Sequence, residues 1–259
     1  MRVSTVLLLA AAGLALPPGR AVAQNEFHWN GKVAAGKAIE IKGVNGDVRA
    51  VAGSGDVQVT AVKHARRSDP EDVKIEVVPH DGSVTICAVY PSDGRRENSC
   101  DPGDGGHMNV HDNDVKVDFT VQVPAGVKFV GKTVNGEVEA ANLAGDVEAN
   151  TVNGSIRIST SGYAEAETVN GSIVASLGRS NWSDALEFRT VNGGITLDLP
   201  ASLSTEVRAS TVNGSIESDF PLMVTGRLGP RRINGTIGSG GRQLALTTVN
   251  GSIRLRKTT

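Results

Sequence analysis

The stretch TVNGSI, residues 151–156, recurs with small changes through much of the chain. The tetrapeptide TVNG occurs six times, and GVNG at residues 43–46 and RING at residues 232–235 are variants of it. From residue 135 onward, successive asparagines are separated by 18, 17, 22, 21, 21 and 16 residues. Such a period is typical of stacked rungs joined by turns of unequal length. Each asparagine–glycine pair is predicted to form the turn of one rung: Asn45 and Gly46, Asn135 and Gly136, Asn153 and Gly154, Asn170 and Gly171, Asn192 and Gly193, Asn213 and Gly214, Asn234 and Gly235, Asn250 and Gly251.

Side-chain alternation around each asparagine predicts short β-strands. One apolar column directly precedes the asparagine, and a second lies three residues after it. Because both columns have the same parity, both are predicted to face the interior, whereas the threonine two residues before the asparagine is predicted to face outward. The columns are Val44, Val134, Val152, Val169, Val191, Val212, Ile233 and Val249, and then Val48, Val138, Ile156, Ile173, Ile195, Ile216, Ile237 and Ile253.

Each rung is predicted to contain two or more strands. Between Asn153 and Asn170, the segments SIRIS and YAEAETV are separated by a TSG turn. A single rung cannot bury its apolar side, but identical rungs stacked roughly 4.8 Å apart place each valine over a valine and each isoleucine over an isoleucine. The prediction is an all-β fold, a parallel β-helix (β-solenoid) with rungs of 16–22 residues.

Two placements of the asparagine column remain open. In the favoured one, the chain bends at Asn-Gly because both residues tolerate positive φ, and a buried asparagine column forms a hydrogen-bonded ladder. In the other, each strand runs straight through TVNGSI, so that Thr, Asn and Ser point outward and Gly points inward. Only the straight placement predicts a regular polar face for binding.

Residues 1–23 have the features of a secretory signal peptide. Arg2 precedes an apolar run from Val6 to Leu16, and the small-x-small ending Ala21 to Ala23 predicts cleavage after Ala23. A membrane anchor needs about 20 apolar residues, and no second stretch of the mature chain is long enough to span a bilayer. The mature protein is therefore predicted to be exported, to the periplasm, the cell surface or the extracellular medium.

Composition restricts the partners and the core. The formal charge is −2, and it becomes −4 without residues 1–23, because two arginines and no acids are lost. Neither value indicates nucleic-acid binding. Only 3% of residues are aromatic, so a core of β-branched side chains is expected. Residues 24–259 are predicted to form one β-solenoid domain of undetermined oligomeric state.

An irregular insertion at about residues 64–114 interrupts the repeat. The segments DVKIEVV and SVTICAVY, separated by HDGS, predict a hairpin, and an Asp- and Gly-rich loop follows. Cys87 and Cys100 are the only cysteines of the chain, and export to an oxidising compartment predicts a disulfide between them. The C-terminal RLRKTT, with three cations, is expected to protect one exposed end of the solenoid.

The loop also contains metal-ligand types. Asp101, Asp104, Asp112 and Asp114 could wrap a calcium ion, and His107 and His111 could hold a transition metal. Neither EF-hand nor RTX spacing is present. A solvated loop held by the disulfide is the favoured interpretation, and no cofactor is expected.

The segment FHWNGKVAAGKAIEIKGVNGDVRA, the phrase LPASL…TVNGSI and the serial NG-[DS]-[IV] units resemble the DUF4097, beta-strand-repeat or putative adhesin family of exported bacterial proteins. The resemblance covers nearly all of the mature chain. It implies a right-handed parallel β-helix, and it supplies no catalytic motif. "Adhesin" describes shape and export in this family rather than an activity.

The favoured function is therefore a non-catalytic, adhesin-like binding or structural protein of the bacterial cell envelope, with an unknown macromolecule of the envelope or surface as its partner. The alternative is a polysaccharide-cleaving enzyme on a β-helix, which needs carboxylates that converge on adjacent rungs. Glu137 and Glu139 are candidates, but Arg157 is expected above them, so that ion pairing explains them equally well. Trp29, Tyr90, Tyr163 and Trp182 are scattered along the sequence. Ice binding by stacked Thr-x-Asn pairs is disfavoured because the rungs are unequal.

Overall fold

The computed structural model describes residues 25–94, 96–179, 182, 184–224 and 231–258, so the predicted signal peptide lies outside the described residues. The one helix found there is a single 3-10 turn, Pro70–Asp72. The strands are β1 (Glu26–Gly31), β2 (Ala38–Lys42), β3 (Val48–Gly53), β4 (Val57–His64), β5 (Lys74–His80), β6 (Ser83–Val89), β7 (Lys116–Pro124), β8 (Lys128–Lys132), β9 (Val138–Leu143), β10 (Val147–Asn150), β11 (Ile156–Thr160), β12 (Ala164–Glu167), β13 (Ile173–Leu177), β14 (Leu186–Arg189), β15 (Ile195–Pro200), β16 (Thr205–Ser210), β17 (Ile216–Ser218), β18 (Met223–Val224), β19 (Arg232–Ile237), β20 (Gln243–Thr247) and β21 (Ile253–Thr258).

These strands form two sheets that share one core. Sheet A has the order β1-β4-β7-β3-β9-β11-β13-β15-β21-β17, and sheet B has the order β18-β19-β16-β20-β14-β12-β10-β8-β2-β6-β5. The inner strands of both sheets pair in parallel, and each rung contributes one strand to each sheet. The fold is a parallel β-solenoid, as the period and the alternation predicted.

The predicted interior column three residues after the asparagine is confirmed except at Ile216, which is partly exposed. The column directly before the asparagine is wrong for its seven valines, whereas its eighth member, Ile233, is buried. Val48, Val138 and the isoleucines of β11, β13, β15 and β21 are fully buried. The valines before the asparagines face solvent instead, and the threonines one residue earlier are buried. Threonine and isoleucine are five residues apart, an odd number, so both can face inward only if the chain breaks its alternation between them. The bend at Val-Asn-Gly provides that break.

The rungs do not stack in chain order. The last rung, β20 and β21, lies between the rung of β14 and β15 and the rung of β16 and β17. Most of RLRKTT is therefore the inner strand β21, and the expectation that it protects an end is wrong. At the other end, β6 and β7 stack on the outer side of β2 and β3, although they follow them in the chain.

Antiparallel strands cover three of the four sheet ends. β4 and then β1 follow β7 in sheet A, β5 covers β6 in sheet B, and β19 and β18 cover β16. The fourth end, in sheet A, is β17, which pairs in parallel with β21 and is the last strand of that sheet among the described residues.

The insertion forms a hairpin and a loop within residues 64–114. β5 and β6 pair antiparallel across a turn at Asp81, which has a positive φ. Cys87, at the end of this hairpin, is joined by a disulfide to Cys100 in the following loop. That loop connects β6 to β7, the same sheet-B-to-sheet-A connection that an Asn-Gly bend makes in the other rungs.

Candidate binding surface

Seven of the predicted Asn-Gly turns lie at the corner where a sheet-B strand passes into a sheet-A strand. Their asparagines form parallel bridges with one another from rung to rung. The eighth copy differs, because Asn234 and Gly235 lie inside β19, where the chain is extended and antiparallel to β16. Gly235 points inward and Asn234 outward there. The turn predicted for this pair is therefore wrong, and the straight placement applies to this copy alone.

The seven asparagine side chains form a continuous hydrogen-bonded ladder. In six of the seven, Nδ2 donates to the Oδ1 of the asparagine on the preceding rung at 2.7–2.8 Å, and Asn45, the first, only accepts within the ladder. Most of these side chains are exposed, so the ladder runs along the surface and not in the core. The predicted bend and ladder are both present, but the predicted burial of the ladder is wrong. In stacking order its members are Asn45, Asn135, Asn153, Asn170, Asn192, Asn250 and Asn213.

Close stacking, and not positive φ, explains the glycine at each bend. Of the bend glycines only Gly46 has a positive φ. A Cβ on any of the other six would overlap the carbonyl oxygen of the glycine on the preceding rung. An L-side chain cannot be placed there without moving the backbone of one rung away from the next.

The buried threonines fasten each bend to the rung before it. Every TVNG threonine donates its Oγ1 hydrogen to the carbonyl of the preceding rung's glycine at 2.8–3.0 Å. A buried hydroxyl without a partner would cost about 1–3 kcal/mol, so this bond makes an inward threonine acceptable. The threonines are Thr133, Thr151, Thr168, Thr190, Thr248 and Thr211.

The valines between the buried threonines and the asparagines of the repeat form an exposed apolar row beside the asparagine ladder. Val134 and Val152 are each 38% exposed, Val169 37% and Val212 54%. Val44, Val191 and Val249 are partly exposed in the same row. We call the two rows together the bend ridge: Val44, Val134, Val152, Val169, Val191, Val249 and Val212, with the seven ladder asparagines.

Tyr90 closes the N-terminal end of the bend ridge. Its hydroxyl donates to the carbonyl of Val115 at 2.8 Å and receives a hydrogen bond from the side chain of Asn45, the first ladder residue. Burial raises the pKa of Tyr90 to about 12, against the opposing effect of the Asn45 bonds. The tyrosine therefore remains a neutral donor.

The disulfide-bonded loop is fastened to sheet B by three charged side chains next to this end. Lys42 Nζ donates to the carbonyls of Asp101 at 2.5 Å and Gly105 at 3.0 Å. The buried Glu40 carboxylate accepts from the Gly103 N–H at 3.0 Å, and its second oxygen lies 3.3 Å from Lys132 Nζ without hydrogen-bond geometry. Burial lowers the pKa of Lys42. Burial acts in the same direction on Lys132, but its bonds to acidic neighbours outweigh that effect and raise its pKa.

Two of the four aspartates considered for calcium have separate partners. Asp104 pairs with Lys132 at 3.1 Å, whereas Asp114 accepts the backbone N–H of Ser68 at 2.8 Å. In the part of the chain that the structure describes, no three His, Cys, Asp or Glu side chains are grouped so that they could hold a metal ion. His107 and His111 have different neighbours, since Ser99 bonds to the backbone of His107 and Asp93 lies 3.5 Å from the His111 ring.

Carboxylates do come together on sheet B, at residues that the sequence analysis did not identify. The register stacks Glu148, Glu165 and Glu187 on neighbouring strands. Burial raises the pKa of Glu165 above its ordinary value; the Glu187 N–H opposes this, and the charges of Glu148 and Glu187 add to it. The carboxylates considered on sheet A are ion-paired instead, Glu139 with Arg49 at 2.8 Å and Glu137 with Arg157 at 2.5 Å.

Two aromatic side chains described above as scattered line the same cavity. Tyr163 and Trp182 lie with Glu165 around a volume of about 240 Å³, with Arg179 5.2 Å from the centre of the tyrosine ring. The separation of 19 residues, close to one rung, was the signal that could have brought the two aromatics together.

The stacked bends and the two parallel sheets define a repeat protein of the β-solenoid class. Residues 32–256 match the model of the family described as Toastrack DUF4097, and the chain belongs to this family. The family resemblance noted in the sequence is thereby confirmed. No curated protein matches the sequence. No helix among the described residues is long and apolar enough to cross a membrane.

Solved structures with some similarity include a putative cell adhesion protein from Clostridium sporogenes, 11% identical, with a TM-score of 0.47 over 90% of this chain and all of the other. A putative adhesin from Bacteroides fragilis is 12% identical, with a TM-score of 0.27 over 91% of this chain and 98% of the other.

Proposed function

We propose that the protein is an exported, non-catalytic β-solenoid of the bacterial cell envelope and that its bend ridge binds another macromolecule. The exposed valine row carries this proposal. A residue on the outside of a bend needs no apolar side chain for folding, yet valine stands there in seven consecutive rungs. Contiguous apolar surface of this kind marks interaction sites.

The asparagine ladder gives the ridge polar groups in fixed positions. Each inner asparagine uses one N–H and one oxygen lone pair within the ladder, which leaves the second N–H and the second lone pair for a partner. Since the ladder already restrains the amides, little side-chain entropy is lost on binding. Seven rungs span roughly 29 Å at the spacing of stacked strands, a length suited to an extended polymer.

Export is supported by the predicted signal peptide at residues 1–23 and by the Cys87–Cys100 disulfide, because disulfides persist in oxidising compartments. Protease accessibility tests the location: digestion on intact cells would place the protein on the surface, and protection until the outer barrier is opened would place it in the periplasm. Recovery of the full-length protein in the cytosol would contradict export.

A co-sedimentation assay with isolated envelope fractions tests the ridge. The variant Val152→Lys/Val169→Lys places two charges on the ridge, and we expect it to lose most of the envelope binding of the wild type. Val174→Lys is the matched control, because Val174 is 39% exposed but lies on the outer face of β13. Equal binding by all three proteins would show that the ridge is not the contact surface.

The Glu165 cavity is the observation that favours the second candidate, polysaccharide cleavage. A carboxyl with a raised pKa is suited to act as a general acid, and Tyr163 and Trp182 could contact sugar rings. Release of reducing ends from envelope polysaccharides measures this activity. Turnover by the wild type that is lost in Glu165→Gln would overturn the non-catalytic proposal, and we expect no turnover in either protein.

A further inference from the structure

We propose that the open C-terminal end of sheet A binds an extended peptide of a second polypeptide chain by parallel β-strand addition. The peptide carries Asn-Gly-x-(Ile or Val). The site, which we call the open edge, comprises residues 212–218, that is, the last bend and β17. It differs from the flank of the bend ridge, because the occupant would extend the stack by one rung.

Backbone groups that are paired at every inner junction have no partner at the open edge. At an inner junction, Gly154 N–H donates to the Asn170 carbonyl at 3.0 Å and Ile156 N–H to the Ser172 carbonyl at 2.9 Å. The carbonyl of Val152 accepts the Asn170 N–H at 2.7 Å. The equivalent groups of the last rung are the N–H of Gly214, the N–H of Ile216 and the carbonyl of Val212, and none has a hydrogen bond among the described residues.

The side chains of the last rung are also uncovered. Ile216 is partly exposed, whereas its counterparts Ile173, Ile195 and Ile253 are completely buried by a rung on each side. Val212 is 54% exposed, compared with 37–38% for ridge valines inside the stack. An apolar residue of the added strand would therefore cover Ile216 in the way each inner isoleucine covers the next.

The bend sets the peptide sequence. The Thr211 N–H already donates to the Arg231 carbonyl at 2.9 Å, so the occupant begins after the threonine position of the repeat. An asparagine on the occupant would donate to Asn213 Oδ1, which has no ladder partner on its outer side among the described residues. Glycine is required next, because at every inner junction a Cβ at that position would overlap the carbonyl of the glycine below it. A strand without this bend would satisfy only the β17 part of the edge.

A second folded copy of the chain does not present this sequence. Its bends lie inside the stack, and the outer side of its first bend is closed, since Gly46 packs against the carbonyl of Val117 on the strand β7. Two open edges that met about a twofold axis would run antiparallel and could not continue the ladder. The occupant is therefore a separate extended segment, bound by β-strand addition.

Fluorescence anisotropy with a labelled peptide of residues 152–160 (VNGSIRIST) tests the site on the full mature chain. The control peptide differs only by Gly154→Ala. The protein variant is Ile216→Pro, which removes an N–H that points toward the occupant and has no acceptor among the described residues, a substitution tolerated on edge strands. We expect saturable binding of the first peptide, with affinity about tenfold or more lower for the control peptide and for the variant.

Amide hydrogen exchange on the wild-type protein supplies a readout that does not depend on how the variant folds. Peptide binding should slow exchange at Gly214 and Ile216 and leave Gly46 unchanged. No saturable binding, or binding that is equal for both peptides, would overturn the proposal. A dimer seen by sedimentation velocity that Ile216→Pro abolishes, without peptide binding, would assign the edge to a second copy and would also overturn it.

Discussion

The two ends of the bend ridge are built from the same repeat but terminate differently. At the N-terminal end, the stack continues past Asn45 into β6 and β7, whose connection is the disulfide-bonded loop in place of an Asn-Gly bend. At the C-terminal end, the rung of Asn213 is the last in sheet A among the residues that the structure describes. The comparison shows that the repeat carries no signal for where it stops. Sequence that departs from the repeat closes the N-terminal end in both sheets. At the C-terminal end, β18 and β19 cover sheet B, and no described strand covers β17 in sheet A.

The difference is chemical as well as topological. The Asn45 side chain is bonded to Tyr90, and the loop beside it is fastened by Lys42 and Glu40. Asn213 has a ladder neighbour on one side only. The N-terminal end is therefore expected to open last, and the C-terminal end to exchange its backbone hydrogens first.

A substitution in the middle of the stack, between the two ends, should have the largest effect on the free energy of unfolding. Gly171→Ala would force its methyl group against the Gly154 carbonyl, and we expect the free energy of unfolding to fall by roughly 4 kcal/mol. The measurement is guanidinium denaturation.

Gly235→Ala is the control, because the nearest atom to its Cβ is the Met223 carbonyl oxygen at 3.1 Å and β19 is not a bend. It should lose about 1 kcal/mol. An equal loss in both variants would show that tight stacking of bends is not the reason for glycine.

Removing the disulfide should have the second-largest effect on stability, and it should weaken the N-terminal end. Cys87→Ser/Cys100→Ser releases the loop closed by the disulfide, whose cysteines are 13 residues apart, and should lower the free energy of unfolding by about 3 kcal/mol. Urea denaturation measures this, with reduced wild type expected to match the variant. Amide exchange at Gly46 that is no faster in the variant than in the wild type would contradict the assignment of the disulfide to the N-terminal end.

Substitutions in the asparagine ladder should lower stability less, and the loss should be larger in the middle of the stack than at its C-terminal end. Asn170→Ala removes two amide–amide bonds, and Asn213→Ala removes one. Because these bonds are exposed, we expect losses of about 1 and about 0.5 kcal/mol in the free energy of unfolding. Thermal denaturation of the two variants side by side checks the order, and a larger loss for Asn213→Ala would refute it.

The smallest of these effects on stability is expected from acid, through protonation of Asp114 near the N-terminal end. The N–H of Ser68, together with that of Arg67 and the Arg67 charge, lowers the Asp114 pKa from 3.8 to about 2. A carboxyl with a depressed folded-state pKa stabilises the fold above its unfolded value and loses that contribution as the pH falls from about 4 through 2. An NMR titration should find a midpoint near 2. Asp114→Asn should abolish this part of the acid dependence, and a midpoint near 4 would show that the bonds to residues 67 and 68 do not hold in solution.

Much of the architecture follows from local sequence. The TVNG period predicts stacked rungs, the Ile column identifies residues that are fully buried, and the two cysteines predict the disulfide. These predictions succeeded because each depends on residues a few positions apart or on a pair with no competing partner. The positions of GVNG and of the six TVNG copies also predicted seven of the eight bends correctly.

Other features depend on how the rungs meet. The inward threonine and outward valine depend on the phase break at the bend, and the pairing of Tyr163 with Trp182 depends on which loops lie side by side. RING enters a strand because β16 and β18 pair with it on both sides. Most clearly, β21 inserts between β15 and β17 out of chain order. Rungs with nearly identical sequences offer nearly identical neighbours, so local pattern cannot order them, and only the packing of the whole stack selects which rung lies against which.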